Sequence, residues 1–185
     1  MNVESLKKLI SDIKKGKVET AEALETLKTL PFEEMGFATL DTHRSLRQGF
    51  PEVILGQGKT AAQVIKIAKK MKARKENILI TRVDTAKARM IKKAVKNSSY
   101  NKNAKTIFVK SHAIKITGKG TILVICAGTS DMPVAEEAAV TAGVMGNKVE
   151  RLYDVGVAGI HRLFHKKEKI LAANVLIVVA GMEGA

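Results

Sequence analysis

The last third of the chain alternates apolar strands with helices, and this alternation constrains the fold more than any other feature. TILVICAG, residues 121–128, is apolar without every-second-residue polarity, the mark of a strand covered on both faces. SDMPVAEEAAVTAGVMG follows as a helix, with Pro133 in its first turn, where proline is tolerated, and Gly146-Asn147 at its end. Ala135, Ala138, Ala139 and Ala142 give that helix a small-residue face suited to close packing on a sheet. KVERLYDVG reads as a second strand, VAGIHRLFHKKEKIL as a second helix and NVLIVVAG as a third strand. Such alternation with short connections predicts a doubly wound parallel α/β sheet. Three strands with two helices make a thin sheet for so apolar a last strand. The expectation is that the domain is truncated at Ala185 or that other copies of the chain cover it.

The upstream two-thirds predicts a helical start and a smaller α/β unit. Leu6, Leu9, Ile10 and Ile13 follow the spacing of one helical face, which Gly16 ends. A second helix carries Ala21, Leu24 and Leu27 on one side and stops before Pro31. From there to Lys59 no period is sustained, so the segment reads as a long structured loop with a short strand at Val53–Leu55. Its phenylalanines at 32, 37 and 50 argue against disorder. Thr60 and Gln63 form a capping-box pair ahead of a helix facing inward through Val64, Ile67, Ala68 and Met71. Strands are expected at 77–81 and 104–109, with Asp84 capping a helix that bears Ala88, Ile91 and Val95. KSHAIKITGKG reads as a linker or hairpin. The domains are therefore 1–118 and 119–185.

The net charge of +14 raises the question of nucleic acid. Residues 1–119 hold 26 Lys and Arg against 11 Asp and Glu, and residues 120–185 hold 6 against 7. The excess lysines are strewn along helices, and only 4% of the chain is aromatic, with no Trp to stack bases. A solvated basic surface is favoured over a nucleic-acid groove. Cys126 is the single cysteine, which excludes an internal disulfide and points to the reducing cytoplasm. The N-terminus lacks the apolar core of a signal peptide, and no apolar run approaches the roughly 20 residues of a membrane span.

In open α/β sheets ligands bind at the carboxyl ends of the strands. All three C-terminal strands end there in polar, glycine-bearing loops: Ala127-Gly128-Thr129-Ser130-Asp131, Asp154-Val155-Gly156 and Gly181-Met182-Glu183-Gly184. Gly128 permits a tight turn, while the Thr129 and Ser130 hydroxyls and the amides opening the next helix suit a phosphate or carboxylate. Taken alone, Ser130 or Asp131 would only cap that helix; three such loops on one edge favour a site. GQGKT at 56–60 looks like part of a phosphate loop, but the first glycine of a Walker motif would fall at Val53, so the pattern is absent. His161 and His165 lack a third ligand and read as a surface pair. Cys126, inside an apolar strand, reads as a core hydrophobe. Arg44 and Arg47, three apart, suit either a carboxylate or phosphate clamp or a solvated helix face.

AGTSDMPVAEEAAVTAGVMGN, RLYDVGVAGIHRLF and VLIVVAGMEGA together resemble the core of the nickel-pincer cofactor biosynthesis carboxylases (LarB), themselves similar to the PurE-type aminoimidazole ribonucleotide carboxylases. DTHRSLRQGFPEVILGQGKT resembles the same family's N-terminal region, so the likeness spans most of residues 41–185. It implies a PurE-like fold and a pyridinium-3,5-biscarboxylate mononucleotide synthase. Such an enzyme carboxylates the ring of nicotinic acid adenine dinucleotide with CO2 or bicarbonate and splits the phosphoanhydride to release AMP, with Mg2+ assisting. Separately, a thin parallel sheet of this kind needs neighbours, so a homo-oligomer is expected. The family's catalytic cysteine is expected beyond the AGMEGA block, so no position here matches it and the chain is expected to be inactive as it stands. By resemblance Ser130 and Asp131 match a phosphoribosyl-binding loop, Asp154 and Gly156 the second loop, and Gly181 and Glu183 the third. The catalytic histidine of the PurE type has no counterpart in DVGVAG, which leaves acid–base work to Asp154 or Glu183. Arg44 and Arg47 match an arginine-bearing block that meets the substrate's carboxylate or phosphates. The alternative is a nucleotide- or nucleic-acid-binding module without catalysis.

Overall fold

The structure, a computed structural model, describes residues 3–28, 32–50 and 52–184. Pro31, read above as the stop of the second helix, lies outside the described residues. Two amphipathic helices open the chain, α1 (Val3–Lys14) and α2 (Thr20–Lys28). The buried stripe of α2 differs from the expected one. Ala23 is buried with Leu27 half-buried one turn on, while Ala21 and Leu24 face solvent. The supposed loop after Pro31 contains a small antiparallel hairpin, β1 (Phe32–Glu34) and β2 (Thr39–Asp41), then a short helix α3 (Arg44–Gln48). Glu33 anchors the hairpin through ion pairs to Lys70 and Arg74.

Next come β3 (Val53–Leu55), α4 (Ala61–Ala73), β4 (Ile78–Thr81), α5 (Thr85–Ala94), β5 (Ser98–Asn101) and β6 (Thr106–Val109). They form a four-stranded mixed sheet in the order β3-β4-β6-β5. β3 and β4 are parallel, joined through α4, and β5 and β6 form an antiparallel hairpin. Both expected helix starts are present. Thr60 and Gln63 exchange their capping-box bonds, and the Asp84 carboxylate accepts the Lys87 N–H at 2.7 Å. Val64, Ile67, Ala68 and Met71 of α4 and Ala88 and Ile91 of α5 bury against Ile78, Ile80, Ile107 and Val109 on one face of this sheet.

The C-terminal unit is the predicted doubly wound sheet. β7 (Thr121–Cys126), α6 (Met132–Val144), β8 (Lys148–Leu152), α7 (Ile160–Phe164), α8 (Lys167–Leu171) and β9 (Val175–Val179) give the parallel order β8-β7-β9. Alternate residues of the central strand serve opposite faces. Val124 and Cys126 meet Ala135 and Ala139 of α6, while Leu123 and Ile125 meet Leu163 and Ile170 on the α7–α8 side. The single helix expected over residues 157–171 is divided at His165 and Lys166, and both halves still reach the sheet. Edge strand β9 leaves Val175 and Val178 at 50% and 62% exposure, so its outer side lacks cover from the described residues.

The two sheets flank α6. Its small-residue face lies on β7, and its carboxyl end, Val144 and Met145, borders Phe50, Val53 and Leu79 of the first unit. Its amino end lies beside Arg82, which pairs with Glu137 at 3.5 Å. No helix among the described residues is long and apolar enough to cross a membrane.

Candidate functional site

Parallel register places the carboxyl ends of β8, β7 and β9 on one edge, and backbone hydrogen bonds lock their loops together. Val155 N–H donates to Cys126 O at 3.2 Å and Gly156 N–H to Ala127 O at 2.8 Å, tying the second loop to the first. Ala127 N–H donates to Val179 O at 3.1 Å, tying the first to the third. Asp131 then acts as a clamp. One carboxylate oxygen accepts the Gly128 N–H at 2.9 Å, and the other accepts the Gly181 N–H from the third loop at 3.0 Å. It makes no side-chain cap bond to α6, so plain helix capping does not describe it.

Thr129 and Ser130 stand exposed at the mouth of this edge, next to the amino end of α6. Gly128 does not make the tight turn expected of it: its φ is −126°, and a Cβ there would have its nearest neighbour at 3.7 Å, an ordinary contact. Backbone strain falls instead on two carboxylate residues. Asp154 and Glu183 have φ of +59° and +51°, a left-handed region that residues with a Cβ seldom occupy. Strain of this kind, of order 1–3 kcal/mol per residue, concentrates at functional sites. The Asp154 carboxylate receives the Arg162 guanidinium at 2.6 Å. Sequence reasoning missed Arg162, whose only signal was a cation one turn into the helix after DVG.

A second network borders the same edge. The Glu136 carboxylate accepts from the Tyr153 hydroxyl and from Arg151 Nε, each at 2.9 Å. Burial, then the hydrogen bond to Glu136 and its negative charge, drive the Tyr153 hydroxyl far above the usual phenol range, so it remains a donor. Glu136 is thereby fixed by two donors and turned from a free charge into part of the wall. Cys126 is fully buried, its Sγ 3.5 Å from Gly128 O, and burial pushes its thiol above the ordinary range. A thiol so placed packs like a small hydrophobe and is a poor nucleophile.

The α3 arginines are not brought to these loops. Arg44 stacks its guanidinium over Phe50, 5.6 Å from the ring centroid, and Arg47 is ion-paired with Asp41. Phe50 borders the carboxyl end of α6, and a 13-residue helix is about 20 Å long, so the two arginines lie at the opposite end from Asp131. Among the described residues no group of three His, Cys, Asp or Glu side chains is placed to hold a metal ion, and both Asp131 oxygens already accept backbone donors.

Comparison with known proteins agrees with this architecture. The family description "LarB/PurE-like N-terminal domain" matches residues 32–112, which run from the β1–β2 hairpin through the first sheet. An uncharacterized protein of Methanocaldococcus jannaschii is 36% identical over 190 residues, an alignment covering 98% of this chain and 74% of the archaeal one. The likeness thus extends through the C-terminal sheet and its loops. Residues 32–112 therefore belong to the LarB/PurE-like N-terminal domain family, which is carboxylase-related, and the chain as a whole shares a family with the archaeal protein, a doubly wound parallel sheet following that domain.

Proposed function

We propose that these residues bind nicotinic acid adenine dinucleotide for carboxylation of its pyridinium ring by CO2 or bicarbonate, with release of AMP, in nickel-pincer cofactor biosynthesis. The observation that carries the reading is the gathering of three loops into one edge: Asp131 clamps the first loop to the third through Gly128 and Gly181, and the Gly156 N–H bond to Ala127 O ties in the second. A substrate with phosphates and a charged ring needs preset donors on one side and proton acceptors on the other. The Thr129 and Ser130 hydroxyls and the amino end of α6 suit a phosphate. Asp154 and Glu183, on the flanking loops, suit proton transfer at the ring, with Gly156 and Gly181 letting the ring approach. Assembly into a homo-oligomer, which would cover β9, and a cytoplasmic location belong to the same proposal.

The chemistry defines what else is required. A pyridinium is electron-poor and does not attack CO2. A thiolate must first add to the ring, forming a C–S bond and leaving a neutral enamine whose carbon then bonds to CO2. That carbon's proton passes to a carboxylate such as Asp154 or Glu183, and the thiolate departs as the ring regains its aromaticity. Cys126 is the only thiol in the 185 residues and is buried. These residues therefore supply binding and proton handling, and the thiolate comes from outside them. Mg2+, where it assists, would be held chiefly by substrate phosphates, as is common for this ion.

The test incubates the 185-residue polypeptide with the dinucleotide, Mg2+ and labelled bicarbonate, following label uptake and AMP release by mass spectrometry. Dinucleotide binding without label uptake is the expected result. Turnover abolished by Cys126→Ala would overturn the reading of that thiol, and turnover surviving it would overturn the covalent route. RNA binding is expected to be salt-sensitive and indifferent to sequence.

A further inference from the structure

The carboxyl ends of β3 and β4 face the opening turns of α6. β3 leads through residues 56–60 into α4, β4 through residues 82–84 into α5, and β7 through residues 127–131 into α6. Because α6 lies between the sheets with its amino end at these ends, the first two connections face its opening turns across a cleft of about 440 Å³. That volume falls within the roughly 300–1,000 Å³ of small-molecule sites. The cleft is separate from the edge clamped by Asp131, since its walls come from the first sheet and the opposite side of α6.

Its lining is cationic in a specific way. Arg82, Lys87 and Lys105 face two carboxylates, Asp84 and Glu137, and both carboxylates already have donors. Asp84 caps α5, and Glu137 pairs with Arg82. Lys87 Nζ donates to Gly56 O at 2.9 Å, and Arg82 donates to the Gln57 side-chain oxygen at 3.2 Å, which ties the GQGK turn to the cations. Lys105 is exposed and has no ion pair or side-chain hydrogen bond among the described residues. Arg82 and Lys105 also share a backbone oddity. Their φ values are +53° and +50°, and they are held side by side by the Val83 N–H donating to Lys105 O at 2.8 Å. Lys105 is the residue that closes the β5–β6 hairpin turn, and neither side chain is buried, so both border the cleft.

We infer that this cleft is a binding site for a small phosphate-bearing anion, contacted by Arg82, Lys87 and Lys105 and bordered by Gln57 and Gly58. GQGKT, which does not complete a Walker motif, has a place here as one wall. Nothing in the site depends on carboxylation chemistry, so it stands or falls separately from the dinucleotide reading.

The test is calorimetric titration of the whole chain with inorganic pyrophosphate, beside the variants Lys105→Met and Arg82→Met and the control Lys92→Met at an exposed position of α5. Methionine removes the charge while keeping side-chain length, and Lys105 has no protein partner to lose. Thermal melts establish that each variant folds. Saturable one-to-one binding is expected, weakened about tenfold or more in Lys105→Met and Arg82→Met, as loss of a charge-assisted contact predicts, and unchanged in Lys92→Met. Absence of saturable binding, equal affinity in all four proteins, or an equal loss in Lys92→Met would overturn the site.

Discussion

Replacing Asp131 by alanine should loosen the loop edge measurably. Its carboxylate accepts two backbone N–H groups, Gly128 at 2.9 Å and Gly181 at 3.0 Å. Hydrogen bonds to charged groups contribute about 1.5–3 kcal/mol each when sheltered. The Gly181 bond is exposed and the Gly128 bond only half-buried, so water compensates much of the loss. A total near 2 kcal/mol follows, which for a chain of this size lowers the melting temperature by roughly 4–8 °C. Asp131→Asn keeps one acceptor oxygen and should lose about half as much. Thermal unfolding followed by circular dichroism measures both, and hydrogen exchange at the Gly181 amide reads the clamp directly, with exchange faster in the alanine variant. If Asp131→Ala melted like the parent and left Gly181 protection unchanged, the clamp would carry no weight. If it lost dinucleotide affinity with neither effect, Asp131 would be a ligand contact and not a clamp.

Three further outcomes follow from individual contacts. Native Cys126 should resist iodoacetamide at pH 8 and react fully in guanidinium, because burial raises its pKa in the folded state alone; rapid native labelling would contradict its placement. Gly56→Ala should destabilise the chain by about 1–3 kcal/mol in urea melts, since a Cβ would stand 2.8 Å from Thr81 O and 2.7 Å from Val83 Cγ2; an unchanged midpoint would show that the loop yields freely. The hydrogen bond from Lys70, with the charges of Arg74 and Lys70, holds the Glu33 carboxyl below its ordinary 4.5. Its contribution is therefore complete above that value and lost as pH falls through the lowered folded pKa, a loss that Glu33→Gln should remove from acid-titration curves.

Most of the C-terminal sheet could be read from residue pattern because physics leaves such segments few choices. The run of residues 121–126 permits only a two-sided buried strand, and the alanines of α6 admit only close packing on it. Thr60 and Asp84 announced their helices because an N-cap side chain acts within one turn of its own position. The hairpin strand β5 was illegible. Ser98, Ser99 and Asn101 offer no apolar face, and the strand is held by its pairing with β6 and by the Tyr100 hydroxyl donating to Val83 O at 2.9 Å. The shifted stripe of α2, which keeps Leu27 but exchanges Ala21 and Leu24 for Ala23, was equally hidden, because Ala23 and Leu24 differ less in pattern than in what lies opposite them. At the loop edge, three glycine-bearing segments after three strands could be read from chain order. The clamp from Asp131 to Gly181, 50 residues away, and the partnership of Arg162 with Asp154 depend on how those loops approach in space.

The central claim is that the loops after β7, β8 and β9 form one dinucleotide-binding edge, and backbone amide NMR on the labelled chain during titration with nicotinic acid adenine dinucleotide tests it most directly. Saturable shifts that share one dissociation constant are expected at Gly128, Thr129, Ser130, Gly156 and Gly181. Saturable shifts confined to α3 around Arg44 and Arg47, or none at the three loops, would contradict it.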